Sequence, residues 1–361
     1  MRICFVNTNK DWGGAEKWHL EMAVHLSSKG HDVLALVYPA SPLFQKLKKN
    51  GISCIPVKSG NLGFLNPFRI ATYKRIFKES YTETVILNLP SDLKTAGKAA
   101  RKAGVKHIIY RRGSAIPIRN TWLNRYIFSH YVDFIITNSK ETGRTILKNN
   151  PALFDPEKIK VIYNGIDLTS LDNRITKELF QKQQEQILLG NLSRLSHQKG
   201  LGYLIQIAGL LRDKGLNFHL YLAGDGELKN ELQEQVRRMN LADHITFLGF
   251  VEDTKSFLNS IDILLVTSIW EGFGYSIAEG MACSKPVVAF DISSNPELIT
   301  DNETGYLIEP FDIKAFAEKT IKLANDKILR HTFGKAARIK VEEQFEISQA
   351  FRSLEKFVSE L

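Results

Sequence analysis

A strand-like apolar segment keeps returning along this chain, with helix-patterned sequence between most of the returns. The first series covers 2–8, 32–38, 53–58, 84–89, 107–111, 133–139 and 160–163. Such β-α alternation predicts a parallel sheet. Around 168–186 the chain turns polar and the strand pattern stops, which reads as a linker. Alternation restarts at 187–191, 218–224, 245–250, 262–268, 286–290 and 305–308. The expectation is an α/β protein of two doubly wound, Rossmann-like halves, divided as 1–170 and 171–344. A final segment, 345–361, sets Phe345, Ile347, Phe351, Leu354 and Phe357 at helical spacing. A length of 361 residues suits two domains, and 43% hydrophobic with 24% charged residues is a globular composition. No apolar run approaches a membrane span, and residue 1 leads directly into the first strand without a signal-like stretch, so a soluble, cytoplasmic protein is expected. Cys4, Cys54 and Cys283 are scattered, and read as small apolar fillers.

Charge is uneven. The chain has 48 Lys+Arg and 39 Asp+Glu, a net +9, but residues 1–170 hold 26 of those cations and only 12 of the acids, leaving 22 and 27 for the rest. The first half is therefore the basic one, which points to an anionic partner: a phospholipid surface, an acidic or phosphorylated acceptor, or nucleic acid. No nucleic-acid recognition motif or stacking pattern accompanies the charge, so nucleic acid is not expected. Two basic helical stretches, 67–78 and 94–106, could lie on anionic lipid, although each alone reads as an ordinary amphipathic helix with a solvated face.

The densest chemistry lies at 270–290, WEGFGYSIAEGMACSKPVVAF. A glycine-rich loop (Glu271, Gly272, Phe273, Gly274) opens a helix that Lys285-Pro286 stops before an apolar strand. Ile277, Ala278, Met281 and Ala282 form the apolar face; Ser276, Glu279 and Cys283 form the other stripe. The glycines leave backbone N–H groups open at the helix start, where donors and dipole favour a phosphate. Each acid alone reads as a solvated surface glutamate; the combination does not. The loop after the first strand, with Gly13 and Gly14 ahead of Glu16, would let a phosphate approach the helix start, or would simply be a turn. The run 190–200 carries Arg194 and Lys199, two cations that could converge on one anion, or be solvated loop charge. Neither glycine loop fits G-x-G-x-x-G, and there is no P-loop, so dinucleotide oxidoreductases and P-loop enzymes are disfavoured. There is no D-x-D and no His/Cys cluster with ligand spacing, so no metal site is expected.

With these residues in place, E-G-F-G-x-x-x-A-E-G-M-A-x-x-x-P-V-V-A resembles the E-x7-E signature of retaining, nucleotide-sugar-dependent glycosyltransferase family 4, and the run around Arg194 and Lys199 resembles that family's G-R-L-x-x-x-K-G segment, with Asn191 and Ser193 departing from it. The resemblance implies the GT-B fold, two Rossmann-like domains facing a cleft, with the last helix crossing back onto the first. It implies that a donor, a UDP-sugar in the expected case, is held by Gly13, Gly14, Phe273 and Gly274, with Glu279 on the ribose hydroxyls. Glu271 would hold sugar hydroxyls, and Arg194 with Lys199 would neutralise the departing diphosphate in place of a metal. No cofactor is implied. Many family members carry a histidine after a middle strand of the first domain; here the stretch reads from His107 to Ser114, with Arg111 and Arg112 at the strand end, so these, with Glu16, become candidates for the sugar or acceptor side. The implied acceptor is a bacterial cell-surface glycan or a lipid-linked precursor of the lipopolysaccharide, capsule or exopolysaccharide type; the basic first half could make peripheral contact with the inner face of an anionic membrane. The alternatives are a GT-B phosphorylase, a sugar-nucleotide epimerase, or a non-catalytic sugar-nucleotide-binding protein.

Overall fold

The computed structural model describes residues 1–60, 62–181 and 183–361. The chain divides into two compact units, unit 1 comprising residues 1–164 with 350–361 and unit 2 comprising residues 165–349.

Unit 1 is built on seven strands, β1 (Arg2–Asn7), β2 (Asp32–Val37), β3 (Ser53–Pro56), β4 (Thr84–Leu87), β5 (His107–Arg112), β6 (Phe134–Thr137) and β7 (Ile159–Val161). Their order is β3-β2-β1-β4-β5-β6-β7 and every pairing is parallel. Both faces are covered, which is why the strands read as continuous apolar runs. On β1, Cys4 and Val6 face the layer made by the helices Pro67–Glu79, Lys98–Ala103 and Trp122–Tyr131, while Ile3 and Phe5 face the layer of Gly14–Ser28. Leu354, Phe357 and Val358 of the last helix, Ile347–Ser359, join that second layer.

Unit 2 holds β8 (Ile187–Leu192), β9 (Phe218–Ala223), β10 (Ile245–Gly249), β11 (Ile263–Val266), β12 (Val287–Phe290) and β13 (Gly305–Ile308), in the order β10-β9-β8-β11-β12-β13, again all parallel. The thirteen strands fall where the apolar segments predict them, within a residue or two. One difference lies in the stretch expected to be linker: it opens with a helical turn, Leu168–Asn173, started by Asp167, whose carboxylate accepts from the Ser170 N–H at 2.8 Å. Lys182 of that stretch lies outside the described residues.

Each sheet reverses its strand order once, between β1 and β4 in unit 1 and between β8 and β11 in unit 2. In open parallel α/β sheets the crevice for ligands forms at the carboxyl ends of the strands where the order reverses. The loops leaving those four strands carry most of the residues singled out by the sequence.

Candidate functional site

In unit 2 the loop after β8 carries Arg194 and Lys199, and the loop after β11 carries Glu271. The two loops are stitched together: Thr267 Oγ1 donates to the Lys199 carbonyl at 3.2 Å, the Ile269 N–H to the Gln198 carbonyl at 2.8 Å, and Gln198 Nε2 to the Trp270 carbonyl at 3.0 Å. The approach requires glycine. Gly200 has φ +58°, and a Cβ there would stand 2.2 Å from the Thr267 carbonyl oxygen; Gly224, at φ +141°, would place one 1.8 Å from that of Ser193.

This stitching brings Lys199 Nζ to 2.5 Å from Glu271 Oε1, and Ser268 Oγ donates to the same oxygen at 2.7 Å. The pair is nearly buried, at 14% and 7% side-chain exposure, so neither charge is left to bulk water. Among the described residues both donors converge on Oε1, and Oε2 takes no protein hydrogen bond. The carboxylate is thus fixed in place with one oxygen available to accept from a hydroxyl. Arg194 is different: exposed, with a long contact of 3.4 Å from Nη2 to Gln198 Oε1, it is a cation at the loop tip. The helix Tyr275–Ala282 begins directly after buried Phe273 and after Gly274, whose φ is +92°. Its apolar stripe, Ile277, Ala278, Met281 and Ala282, is buried, and Gly280 lies against Leu264 of β11, so the helix rests close on the sheet. Glu279 stands half-buried on the opposite stripe, as the spacing predicts.

In unit 1 the loops after β1 and β4 meet at a buried carboxylate. Asp92 accepts from Thr8 Oγ1 at 2.5 Å, the Thr8 N–H at 3.2 Å and the Leu89 N–H at 3.3 Å. Burial pushes its pKa up to about 6, while the Thr8 and Leu89 donors pull the other way. Glu16, also buried, accepts from Asn7 Nδ2 at 3.1 Å and lies directly under Gly13. Gly13 is extended, at φ −164°, and Gly14 opens the helix. At the end of β5, Arg111 is buried with its guanidinium 5.0 Å from the Trp18 ring centroid, donating to Asn164 Oδ1 at 3.2 Å and more weakly to Asn88 Oδ1 at 3.4 Å. Arg112 turns outward far enough to donate to the Ile116 carbonyl. His107 stands at the opposite, amino end of β5, paired with Thr84. A histidine that the sequence did not single out, His19, is buried beside Arg111 with neither ring nitrogen hydrogen-bonded; burial first and the Arg111 charge second hold its pKa well below the usual imidazole range, so it is neutral.

Within unit 2 the structure therefore gathers Glu271, Lys199, Phe273 and Gly274, with Arg194 at the edge; within unit 1 it gathers Gly13, Gly14, Glu16, Arg111 and Arg112 at one end of the sheet. Ser268, Thr8 and Asp92 were missed by the sequence reading. The only signal for them is a polar residue at the end of an apolar strand, which many strands show. Among the described residues no group of three or more His, Cys, Asp or Glu is arranged to hold a metal ion.

Two family descriptions match the chain, Glycosyltransferase Family 4 over residues 12–170 and Glycosyl transferases group 1 over residues 172–340. Among curated relatives, the poly(ribitol-phosphate) alpha-N-acetylglucosaminyltransferase of Staphylococcus aureus is 28% identical over 78% of this chain and 57% of its own length. The UDP-Gal:alpha-D-GlcNAc-diphosphoundecaprenol alpha-1,3-galactosyltransferase of Escherichia coli is 26% identical over 96% of this chain and 94% of its own. The chain thus spans little more than half of the first relative and nearly all of the second. Of solved structures, Anabaena HepE in complex with UDP and glucose superposes with a TM-score of 0.84 at 22% identity over 100% of both chains. A glycosyltransferase from Rickettsia africae superposes at 0.87 and 23% identity, over 99% of this chain and 98% of its own. At that identity the likeness establishes the fold, two doubly wound sheets of the GT-B type.

Proposed function

The chain belongs to the group 1, family 4 glycosyltransferases, and on that premise we propose that it moves a hexosyl unit from a UDP-sugar to a bacterial cell-surface glycan or its lipid-linked precursor, with retention of configuration and without a metal ion. The observation that carries this reading is the Lys199–Glu271 pair, a fixed carboxylate and a fixed cation beside a helix N-terminus at a switch point. A diphosphate seated there meets the N–H groups of Phe273 and Gly274 and the charges of Lys199 and Arg194. Glu279, on the outward stripe of the helix, accepts from the ribose hydroxyls. Glu271 Oε2 accepts from a hydroxyl of the donor sugar. As the bond from the anomeric carbon to the phosphate oxygen breaks, negative charge grows on the diphosphate, and the two cations stabilise it. The acceptor hydroxyl attacks the same face, and its proton passes to the departing phosphate oxygen.

The choice of a UDP-sugar is supported by the named relative that uses UDP-Gal and by the UDP in the superposed HepE complex. The acceptor class is supported by relatives named for a ribitol-phosphate polymer and for a diphosphoundecaprenol-linked sugar, together with the basic first half, which would also bring the chain to an anionic membrane.

Thermal melting in EDTA with UDP, GDP, ADP and CMP and their sugars tests the donor half of the proposal, because a ligand that binds only the folded state raises the melting temperature. UDP and one UDP-sugar should raise it. No shift with any nucleoside diphosphate would overturn the reading, and restoration of a shift by Mg²⁺ alone would overturn its metal-independent part.

A further inference from the structure

We propose that one rim of unit 1, formed by the turn at residues 62–65, the start of the Pro67–Glu79 helix and the start of the Trp122–Tyr131 helix, is the surface that seats the chain on an anionic lipid bilayer. This deepens the membrane-contact part of the reading above and rests on it.

The first ground is exposure. Leu62, Leu65, Phe68 and Trp122 are 72%, 66%, 82% and 75% exposed, and Ile116 and Tyr126 are exposed too. Scattered singly, such residues would need no explanation. They are not scattered. The helices Pro67–Glu79 and Trp122–Tyr131, and the helical stretch that starts at Pro90 and runs on through Lys98–Ala103, connect parallel strands and pack on one face of the sheet, so each runs against the strand direction and begins at the carboxyl edge. That edge also carries the crevice loops. The turn and the segment before Lys98 are in contact: Lys98 Nζ donates to the Phe64 carbonyl at 3.5 Å, and Lys94 Nζ stands 5.9 Å from the Phe64 ring centroid.

The second ground is charge. Residues 62–131 contain 13 Lys+Arg and 3 Asp+Glu. Of the three acids, Asp92 is buried under Thr8, while Glu79 closes its helix and Glu83 precedes β4, both at the amino edge. The rim thus presents cations, among them Lys94, Lys98, Arg119 and Arg125, with no exposed carboxylate from this segment. Aliphatic and aromatic tips among cations match a bilayer surface, whose headgroups take the charge and whose acyl boundary takes Leu, Phe and Trp. A soluble polyanion would use the cations and leave Leu62, Leu65 and Phe68 in water. Docking by this rim brings the carboxyl-edge loops of unit 1 to the plane in which a lipid-linked acceptor resides.

The test is co-sedimentation of the full chain with vesicles of phosphatidylglycerol and phosphatidylcholine, and with phosphatidylcholine alone. Wild type should bind the first and not the second. Leu65→Glu with Phe68→Glu, and separately Trp122→Glu, should weaken binding at least about tenfold, whereas Ile328→Glu, an exposed aliphatic site in unit 2, should not. All of these positions are exposed, and an unchanged melting temperature shows each variant folded. If the rim variants bind as wild type does, the rim is not the surface although membrane contact stands. If wild type binds neither vesicle, the membrane-contact reading itself falls. Binding that soluble polyphosphate abolishes and the apolar variants leave intact would assign the rim's charge to a polyanion and overturn the proposal.

Discussion

At the switch point of unit 2 the loops bury an ion pair, Lys199 with Glu271, whereas at the switch point of unit 1 they bury carboxylates held by neutral donors, Asp92 by Thr8 and Leu89 and Glu16 by Asn7. The two sheets share a strand order and the same crevice position, so the difference is one of chemistry on a common frame. A buried pair keeps both charges formed and fixed, at a desolvation cost that only good geometry offsets. A buried acid among neutral donors is instead pushed toward its protonated form, as Asp92 is. The switch point of unit 2 thus holds fixed charge, which is what the proposed binding of a charged ligand there requires. Unit 1 is built to hold the shape of a loop, and it carries its surplus positive charge and apolar side chains on the rim.

The two switch points should differ most at their glycines. Gly200→Ala forces a Cβ into the Thr267 carbonyl at a left-handed position, and should destabilise unit 2 by about 4 kcal/mol or more. Gly13→Ala, at an extended φ and meeting only the tip of Glu16 at 3.3 Å, should cost about 1 kcal/mol or less. Chemical denaturation of the two variants decides it; equal losses would mean that the two loops are equally constrained.

The buried acid gives the next effect. With a folded pKa near 6, above the ordinary 3.8, Asp92 favours the folded state while protonated. That stability is fully present below about pH 4, is lost as the pH rises through 6, and stays lost above it. Asp92→Asn removes the titration, so the stability of the variant relative to wild type should rise by up to about 3 kcal/mol between pH 4 and 7. A flat difference across that range would show that Asp92 does not titrate there.

Smaller effects separate the two cations. Lys199→Ala leaves Glu271 buried with Ser268 as its donor, and should lower turnover about a hundredfold; Arg194→Ala, removing an exposed charge at the loop tip, should lower it about tenfold. Steady-state rates at saturating donor measure both, and the reverse order would place the main stabilising charge on the outer loop.

How much of this was legible in the sequence follows from which interactions are local. The strands were readable because a parallel sheet covered on both faces makes each strand a continuous apolar run, as at 84–87 and 263–266. The Tyr275–Ala282 helix and the outward placement of Glu279 were readable because the 3.6-residue period lies within eight residues. The partnership of Lys199 and Glu271 was not, since 72 residues separate them and only the strand order makes them neighbours. A solvated surface glutamate, the usual expectation for a lone acid, is the wrong picture for Glu271, which is buried. Asp92 was invisible for a similar reason: its partner Thr8 lies 84 residues away, and neither residue sits in a motif. The helical turn at Leu168–Asn173 was hidden by its polar composition.

The central proposal is that unit 2 is the nucleotide end. Calorimetric titration of UDP in EDTA into wild type and Glu279→Ala tests this most directly. A single site on wild type is expected, with an affinity about tenfold weaker in the variant, the scale of one lost hydrogen bond to a charged group. Equal affinity for the two proteins would take the ribose away from the Tyr275–Ala282 helix and contradict the assignment.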